Sequence, residues 1–330
     1  MKVKYYPYQP HCFAFGGFDM QMINTLQAVI NAGVNADKLD NWSRDNDFDI
    51  IHFWGVGRPN FELIDWAKKS GKRIIATILS PYHDSPKSKL GYYYRHLHVR
   101  QLINYYNKID KIIVLNDLQK KVLTEYYKVP AFKMEIIPNI VEEKYFQTPL
   151  SDFSKKYGAH NYVLCTGNIC PRKNQYNLAL ACISLNVNLV LIGNIIDGEG
   201  AYGEKVAVLV SDYKNIIWIK ELPASSNDLV SAYYHCALFA LPSKNETQPI
   251  SALEAVAVRK PLILMDREYA RQSYYKGAIL CKSAKVKDIK IALQKAMIIK
   301  TPPEENKFVL NCKAEKVGES YRHCYEKLVK

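Results

Sequence analysis

YVLCTGNICPRKNQYNLALACISLNVNLVLIG, residues 162–193, is a short apolar run, a loop with two cations, a helix-period segment and a second apolar run. Runs of five or six apolar residues bracketing some twenty residues of helical periodicity predict two parallel strands joined by a helical crossover. The pattern continues downstream through IIWIK (216–220), ALFALPS (237–243) and PLILM (261–265), with helix-like segments at 174–184, 226–236 and 249–258. Upstream, FDIIHFW (48–54), RIIATIL (73–79) and KIIVL (111–115) are β-branched or aromatic runs separated by longer amphipathic stretches. The expected class is therefore α/β, with two doubly wound units. QTPLSDFSKKYGA loses apolar periodicity, so the boundary is drawn there, giving domains at 1–155 and 156–312. The tail KAEKVGESYRHCYEKL reads as an amphipathic helix at about 313–330 that crosses back onto the first domain.

Composition narrows the function. At roughly 100–200 residues per domain, 330 residues fit two domains, and 48% apolar content supplies a core for each. The longest apolar runs fall far short of the ~20 residues that cross a bilayer, and MKVKYYPYQPHCF lacks a signal-peptide core, so a cytoplasmic location is expected. Eight cysteines show neither a C-x-x-C pair nor a histidine ladder, which argues for reduced, buried thiols and against zinc or disulfides. A net charge of +13 attracts anions, with nucleic acid, an anionic membrane face and a phosphorylated small molecule all open. Basic residues concentrate at Lys87, Lys89, Arg95, Arg100 and Lys108, interleaved with aromatics in GYYYRHLHVRQLINYY, so residues 87–108 are a candidate contact with anionic lipid. A solvated face is the plainer alternative.

Ligands of open α/β sheets bind beyond the carboxyl ends of the strands, and three segments place chemistry there. Gly16 and Gly17 precede an apolar-periodic helix, where the absence of Cβ lets a phosphate or sugar approach helix-terminal N–H groups. Arg172 and Lys173 follow a strand and precede a helix, an arrangement suited to a diphosphate, which a guanidinium binds through two oxygens at once. In NETQPISALEAVAVRKPLI (245–263), Pro249 fits the first turn of a helix. Glu246 then lies in the loop at its positive end and Glu254 lies about one and a half turns inside, so one carboxylate meets a sugar and the other a ribose diol. Taken singly, each segment is equally readable as a tight turn, a solvated cation pair and a capped helix.

Taken in order they resemble family 4 of the retaining glycosyltransferases. PSKNETQPISALEAVAVRKPLI resembles that family's donor motif, with Glu246 and Glu254 as its E-x7-E pair. IIPNIVEEKYF (136–146) resembles the interdomain P-N-G-V-D…F segment, GNICPRKNQYNLALA the phosphate loop, and GGFDMQ and KELPASSNDLVSAYYHCALFALPS fit as well. Three positions depart from the pattern. Asn168 stands where a basic residue is common, Ile140 where P-N-G has its glycine, and Pro249 where the E-x7-E motif has one.

The resemblance implies a GT-B fold, two Rossmann-like domains facing a central cleft, the first binding acceptor and the second the nucleotide sugar. It implies sugar transfer from a nucleotide-diphosphate donor to a glycan or lipid-linked acceptor with retention of configuration, in surface polysaccharide or glycoconjugate synthesis. Carried over by position, Glu254 holds the ribose, Glu246 the donor sugar, and Arg172 with Lys173 the diphosphate, while backbone around Thr247, Gln248, Pro249 and Ile250 completes the anion site. His83 in ATILSPYHD is the nearest match to the family's active-site histidine, whereas His52 reads as a packed strand-end residue. No metal or other cofactor is expected, because fixed charge stabilises the leaving diphosphate. A peripheral position at the inner membrane face would bring the enzyme to a lipid-linked acceptor. Two other readings stay open: a relative that remodels its nucleotide sugar without an acceptor, and a nucleic-acid-binding protein, the latter supported by charge alone.

Overall fold

A computed structural model describes residues 1–13, 16–78, 99–222, 227–299 and 303–329. The chain forms two compact units, Met1–Ile140 with Asn311–Lys330, and Val141–Leu310.

Six parallel strands make the sheet of the first unit: β1 (Lys2–Pro7), β2 (Asn35–Lys38), β3 (Ile50–Trp54), β4 (Arg73–Thr77), β5 (Lys111–Val114) and β6 (Met134–Ile136), in the order β2-β1-β3-β4-β5-β6. β3 is buried at every position, as expected for a parallel strand with both faces covered. β1 buries only Val3 and Tyr5 strongly, with Lys2 before them and Lys4 between, which is why its sequence lacks a continuous apolar run.

The Ala314–Val329 helix returns to this unit and packs along the Gly17–Asn31 helix. A Cβ on Gly318 would lie 2.3 Å from the Ala28 carbonyl oxygen, so glycine is required where the two backbones touch. Val317, Tyr321, Cys324 and Tyr325 of the returning helix join Leu26 and Val29 in one core.

A buried polar chain ties that helix to the sheet. The Tyr325 hydroxyl lies 2.6 Å from the Tyr5 hydroxyl and 2.7 Å from His52 Nδ1, His52 Nε2 lies 2.9 Å from Thr77 Oγ1, and Thr77 Oγ1 lies 3.1 Å from the Tyr321 hydroxyl. His52 is thus a packed strand residue, and its burial pushes the imidazole from 6.5 down to about 3.

The sheet of the second unit contains β7 (Tyr162–Thr166), β8 (Asn188–Ile192), β9 (Ile216–Ile219), β10 (Leu238–Leu241), β11 (Leu262–Met265) and β12 (Ile279–Cys281), all parallel, in the order β12-β11-β10-β7-β8-β9. Strand order reverses between β7 and β10, and this reversal is where doubly wound sheets open a crevice at their carboxyl ends. Residues 141–155, assigned from sequence to the first domain, pack with the second unit. Tyr145 meets Tyr233 edge-on at 5.4 Å, Phe153 is buried, and the Phe153 amide donates to Ser231 Oγ at 2.9 Å. Seven of the eight cysteines are buried free thiols and Cys12 is exposed.

His52 gives the first unit a pH-dependent stability. Its folded pKa lies below its unfolded value, so between pH 6.5 and about 3 the unfolded chain binds a proton that the folded chain does not. Stability from this residue is present above pH 6.5 and is lost as the pH falls, by up to about 1.4 kcal/mol per pH unit. Urea denaturation from pH 7 to pH 4 should show that slope reduced in His52→Gln relative to the wild type; equal slopes would remove His52 as the cause.

Candidate active site

The loops after β7 and β10 are interlocked by their own backbones. The Lys244 amide donates to the Arg172 carbonyl at 2.8 Å, and Ser243 Oγ lies 3.2 Å from the same oxygen. Beneath them, Gly193 at the end of β8 has φ +148°, and a Cβ there would sit 2.4 Å from the Gly167 carbonyl oxygen, so only glycine lets the two strand ends approach. Gly167 has φ +119°, and the Lys173 side chain runs past it, with Cε 3.6 Å from the position a Cβ would take. Gln175, fully buried at the start of the Gln175–Leu185 helix, closes the loop by donating from Nε2 to the Asn168 carbonyl at 2.9 Å and accepting from the Cys170 amide at 3.4 Å.

This scaffold brings Glu246, Arg172 and Lys173 to one point. Glu246 Oε1 lies 2.6 Å from an Arg172 guanidinium nitrogen and 2.8 Å from Lys173 Nζ, and it accepts from Ser243 Oγ at 2.7 Å. Arg172 also donates to the Asn245 carbonyl at 2.9 Å. The Glu246 and Lys173 side chains are 11% and 12% exposed and that of Arg172 is 48% exposed, so the carboxylate and the amine form a sheltered pair that the guanidinium joins from solvent. Burial alone would raise the Glu246 carboxyl, but Lys173 and Arg172 outweigh it and hold it below its ordinary range. The residue is a fixed carboxylate.

Glu254 occupies a different setting. Pro249 is the N-cap and Ile250 the first residue of the Ile250–Ala257 helix, and Glu254 lies one turn further on. Its Oε2 accepts from the Tyr233 hydroxyl at 2.7 Å, Tyr145 donates a second hydrogen bond, and the Tyr233 hydroxyl is also bonded to Thr166 Oγ1. Burial pushes this carboxyl up to about 7 even though both tyrosine hydroxyls pull it down. Two glutamates eight residues apart are thereby shifted in opposite directions, Glu246 below its ordinary range and Glu254 up to about 7.

The remaining sequence candidates belong to other segments of the chain. Gly16 caps the Gly17–Asn31 helix in the first unit, where its amide donates to Asp19 Oδ2 at 2.9 Å and a Cβ would meet no atom within 4 Å. His83 and residues 87–98 fall outside the described residues. Of the basic aromatic stretch, the described Tyr105 and Lys108 are already engaged: the Tyr105 ring stacks on Phe61 at 3.8 Å, and both side chains bond Asp65. These two residues are held within the fold. Sequence reading passed over Ser243, Gln175, Tyr233 and Tyr145. All four sit within segments quoted above, Gln175 in GNICPRKNQYNLALA, Tyr233 and Ser243 in KELPASSNDLVSAYYHCALFALPS and Tyr145 in IIPNIVEEKYF, but an uncharged residue there carries no signal of its own.

Comparison with known proteins gives the family and the fold. The model of the glycosyl transferases group 1 family matches residues 147–313, half of the chain, and that of glycosyltransferase family 4 matches residues 25–145. The chain belongs to the glycosyl transferases group 1 family. It is 23% identical over 228 residues to the alpha-galactosylglucosyldiacylglycerol synthase of Streptococcus pneumoniae, a match covering 66% of this chain and 60% of that one. The chain thus spans less than two thirds of that relative. HepE from Anabaena, solved with UDP and glucose, superposes with a TM-score of 0.76 at 14% identity over 99% of this chain and 100% of its own. A glycosyltransferase from Rickettsia africae superposes with a TM-score of 0.70 at 13% identity over 100% of this chain and 98% of its own. The fold is the two-domain α/β architecture of GT-B glycosyltransferases.

The unequal shelter of the two cations gives a stability test. Lys173→Met leaves a buried carboxylate with one partner fewer and should cost about 3 kcal/mol. Arg172→Met removes a half-exposed partner and should cost less than about 1 kcal/mol. Guanidinium denaturation of both variants reads the difference, and equal losses would contradict the sheltered pair.

Proposed function

We propose that this protein is a retaining glycosyltransferase that moves a sugar from a nucleotide-diphosphate donor to a glycan or lipid-linked acceptor. The observation that carries the proposal is the meeting of Glu246, Lys173 and Arg172 at the β7/β10 reversal, which brings a carboxylate suited to a sugar within 2.8 Å of two cations suited to a diphosphate. Arg172 is exposed enough to leave Glu246 and bind two diphosphate oxygens, while the sheltered Lys173 stays beside the carboxylate and supplies fixed positive charge. The diphosphate gains charge as the glycosidic bond breaks, so both cations act most strongly in the transition state. In this reading Glu246 faces the donor sugar, Glu254 accepts from the ribose hydroxyls, and the backbone at Thr247–Ile250 completes the anion site.

HepE was solved with UDP and glucose, and a pneumococcal O-GlcNAc transferase with UDP and GlcNAc, which makes UDP-sugars the first donors to try. A lipid-linked acceptor is supported by the diacylglycerol product named for the streptococcal relative and by the likeness to WaaG, a glycosyltransferase of lipopolysaccharide biosynthesis. The proposed setting is surface glycoconjugate synthesis at the cytoplasmic membrane face. Among the described residues, no helix is long and apolar enough to cross a bilayer.

The reading is tested by thermal unfolding against a panel of nucleotide sugars. A donor at 100 times its dissociation constant should stabilise the protein by about 2.7 kcal/mol. Glu246→Gln should keep that shift yet slow turnover, and a panel in which no compound raises the melting temperature would overturn the reading.

Glu254 adds a pH signature. With its carboxyl at about 7, the ribose acceptor is half protonated at neutrality, so affinity for a nucleotide sugar should rise as the pH passes upward through 7 and then level off. Calorimetric titration from pH 6 to pH 8.5 should show that rise in the wild type and weaker, flat binding in Glu254→Gln. The same profile in both proteins would remove Glu254 from the ribose site.

A further inference from the structure

Behind the loop that carries Glu246 stands a segment that no sequence motif marked. Gln272 is a single extended residue between two short 3-10 turns, Glu268–Arg271 and Ser273–Tyr275, and it is 9% exposed. Its Nε2 donates to the Thr247 carbonyl at 2.9 Å and to the Tyr269 carbonyl at 2.8 Å. On either side of it, the Tyr269 hydroxyl donates to the Ser243 carbonyl at 3.2 Å and the Tyr275 hydroxyl to the Pro249 carbonyl at 3.4 Å. Three side chains of one segment therefore hold three carbonyls of the 243–249 loop.

The orientation of the Gln272 amide shows what the residue is for. Among the described residues its buried Oε1 accepts no hydrogen bond, and a buried acceptor left unpaired is costly. Exchanging the nitrogen and oxygen would turn Oε1 toward two carbonyl oxygens, so the two donated bonds dictate the arrangement. A glutamine kept for stability alone would use both ends. This one spends its donor end on Thr247, the residue after Glu246. A peptide group is planar and trans, so fixing the Thr247 carbonyl also fixes the direction of the Gln248 N–H in the same plane.

We propose that Gln272 is a positioning residue, which with Tyr275 sets the peptide planes of Thr247–Ile250 for binding the donor diphosphate. The inference rests on the glycosyltransferase reading above and adds a specific support for its anion site. Gln272 touches no reacting atom in this account; it acts through the loop.

The test compares the wild type with Gln272→Met, which keeps side-chain length but donates nothing, and with Tyr275→Phe, which loses one hydroxyl. Three quantities are read: melting temperature, amide hydrogen exchange across residues 244–249 without ligand, and kcat and KM for hydrolysis of the UDP-sugar that most stabilises the wild type. Gln272→Met leaves the Thr247 and Tyr269 carbonyls without this donor, so it should melt below the wild type yet stay folded at the assay temperature. It should exchange faster at 244–249 and lose about tenfold to a hundredfold in kcat with a smaller change in KM. Tyr275→Phe should change in the same direction by less. Unchanged exchange at 244–249 would overturn the inference, as would a kcat loss that follows the unfolded fraction at the assay temperature across both variants. Faster exchange in a protein whose wild type binds no nucleotide sugar would uphold the clamp on the loop and reject the donor-site reading instead.

Discussion

The ion pair between Glu246 and Lys173 is the interaction on which the second unit's site depends. Both side chains are about nine-tenths covered, and a charge in that setting is tolerated only when it is paired and hydrogen-bonded. The surrounding structure meets those conditions one by one. Ser243 supplies a hydroxyl to the carboxylate, Arg172 supplies a second cation, and the Lys244 amide locks the two loops in register. Net stabilisation from such a pair is small once desolvation is counted. In the proposed reading, the arrangement is a sugar-facing carboxylate and a diphosphate-facing amine held ready beside each other.

That readiness is built on close backbone approach. Gly193 and Gly167 let β8 and β7 end against one another, and Gln175 holds the turn between strand and helix from below. On the far side, Tyr269, Gln272 and Tyr275 hold the carbonyls of the second loop. The loops are therefore fixed from both flanks. Fixed dipoles and charges of this kind are what a reaction that releases a diphosphate needs, because they undergo no reorganisation as charge develops. Glu254 is held separately, between Tyr233 and Tyr145, and its carboxyl near 7 contrasts with the depressed carboxyl of Glu246.

Much of this was legible in the sequence, for a physical reason. Strands buried on both faces must be continuous apolar runs, and β3, β4, β5, β7, β8, β9, β10 and β11 all begin within three residues of a run read as a strand. The strands that were missed are peripheral or one-sided: β1 alternates lysine with buried residues, β2 reads NADK, and β6 and β12 have three residues each. Glu246, Arg172 and Lys173 were visible because charged residues at strand ends before helices have a chemical meaning, and Glu254 because it follows Glu246 by eight residues, inside the helix. That three of them form one ion cluster was not visible, since Arg172 and Glu246 are 74 residues apart and only the parallel β7/β10 pairing joins them. Ser243, Gln175 and Gln272 were invisible because a buried hydrogen-bonding residue looks the same in a sequence as a polar loop residue.

The most direct test measures how much of the binding energy the diphosphate contributes. Dissociation constants for uridine and for UDP, determined by calorimetry on the wild type and on a variant with Arg172 and Lys173 both changed to Ala, separate the base and ribose from the phosphates. The account predicts that UDP binds the wild type at least about a hundredfold more tightly than uridine, equivalent to about 2.7 kcal/mol, and that the variant loses most of this difference while still binding uridine. An equal preference for UDP in both proteins would contradict it, because the diphosphate would then be held by something other than the two cations that meet at Glu246.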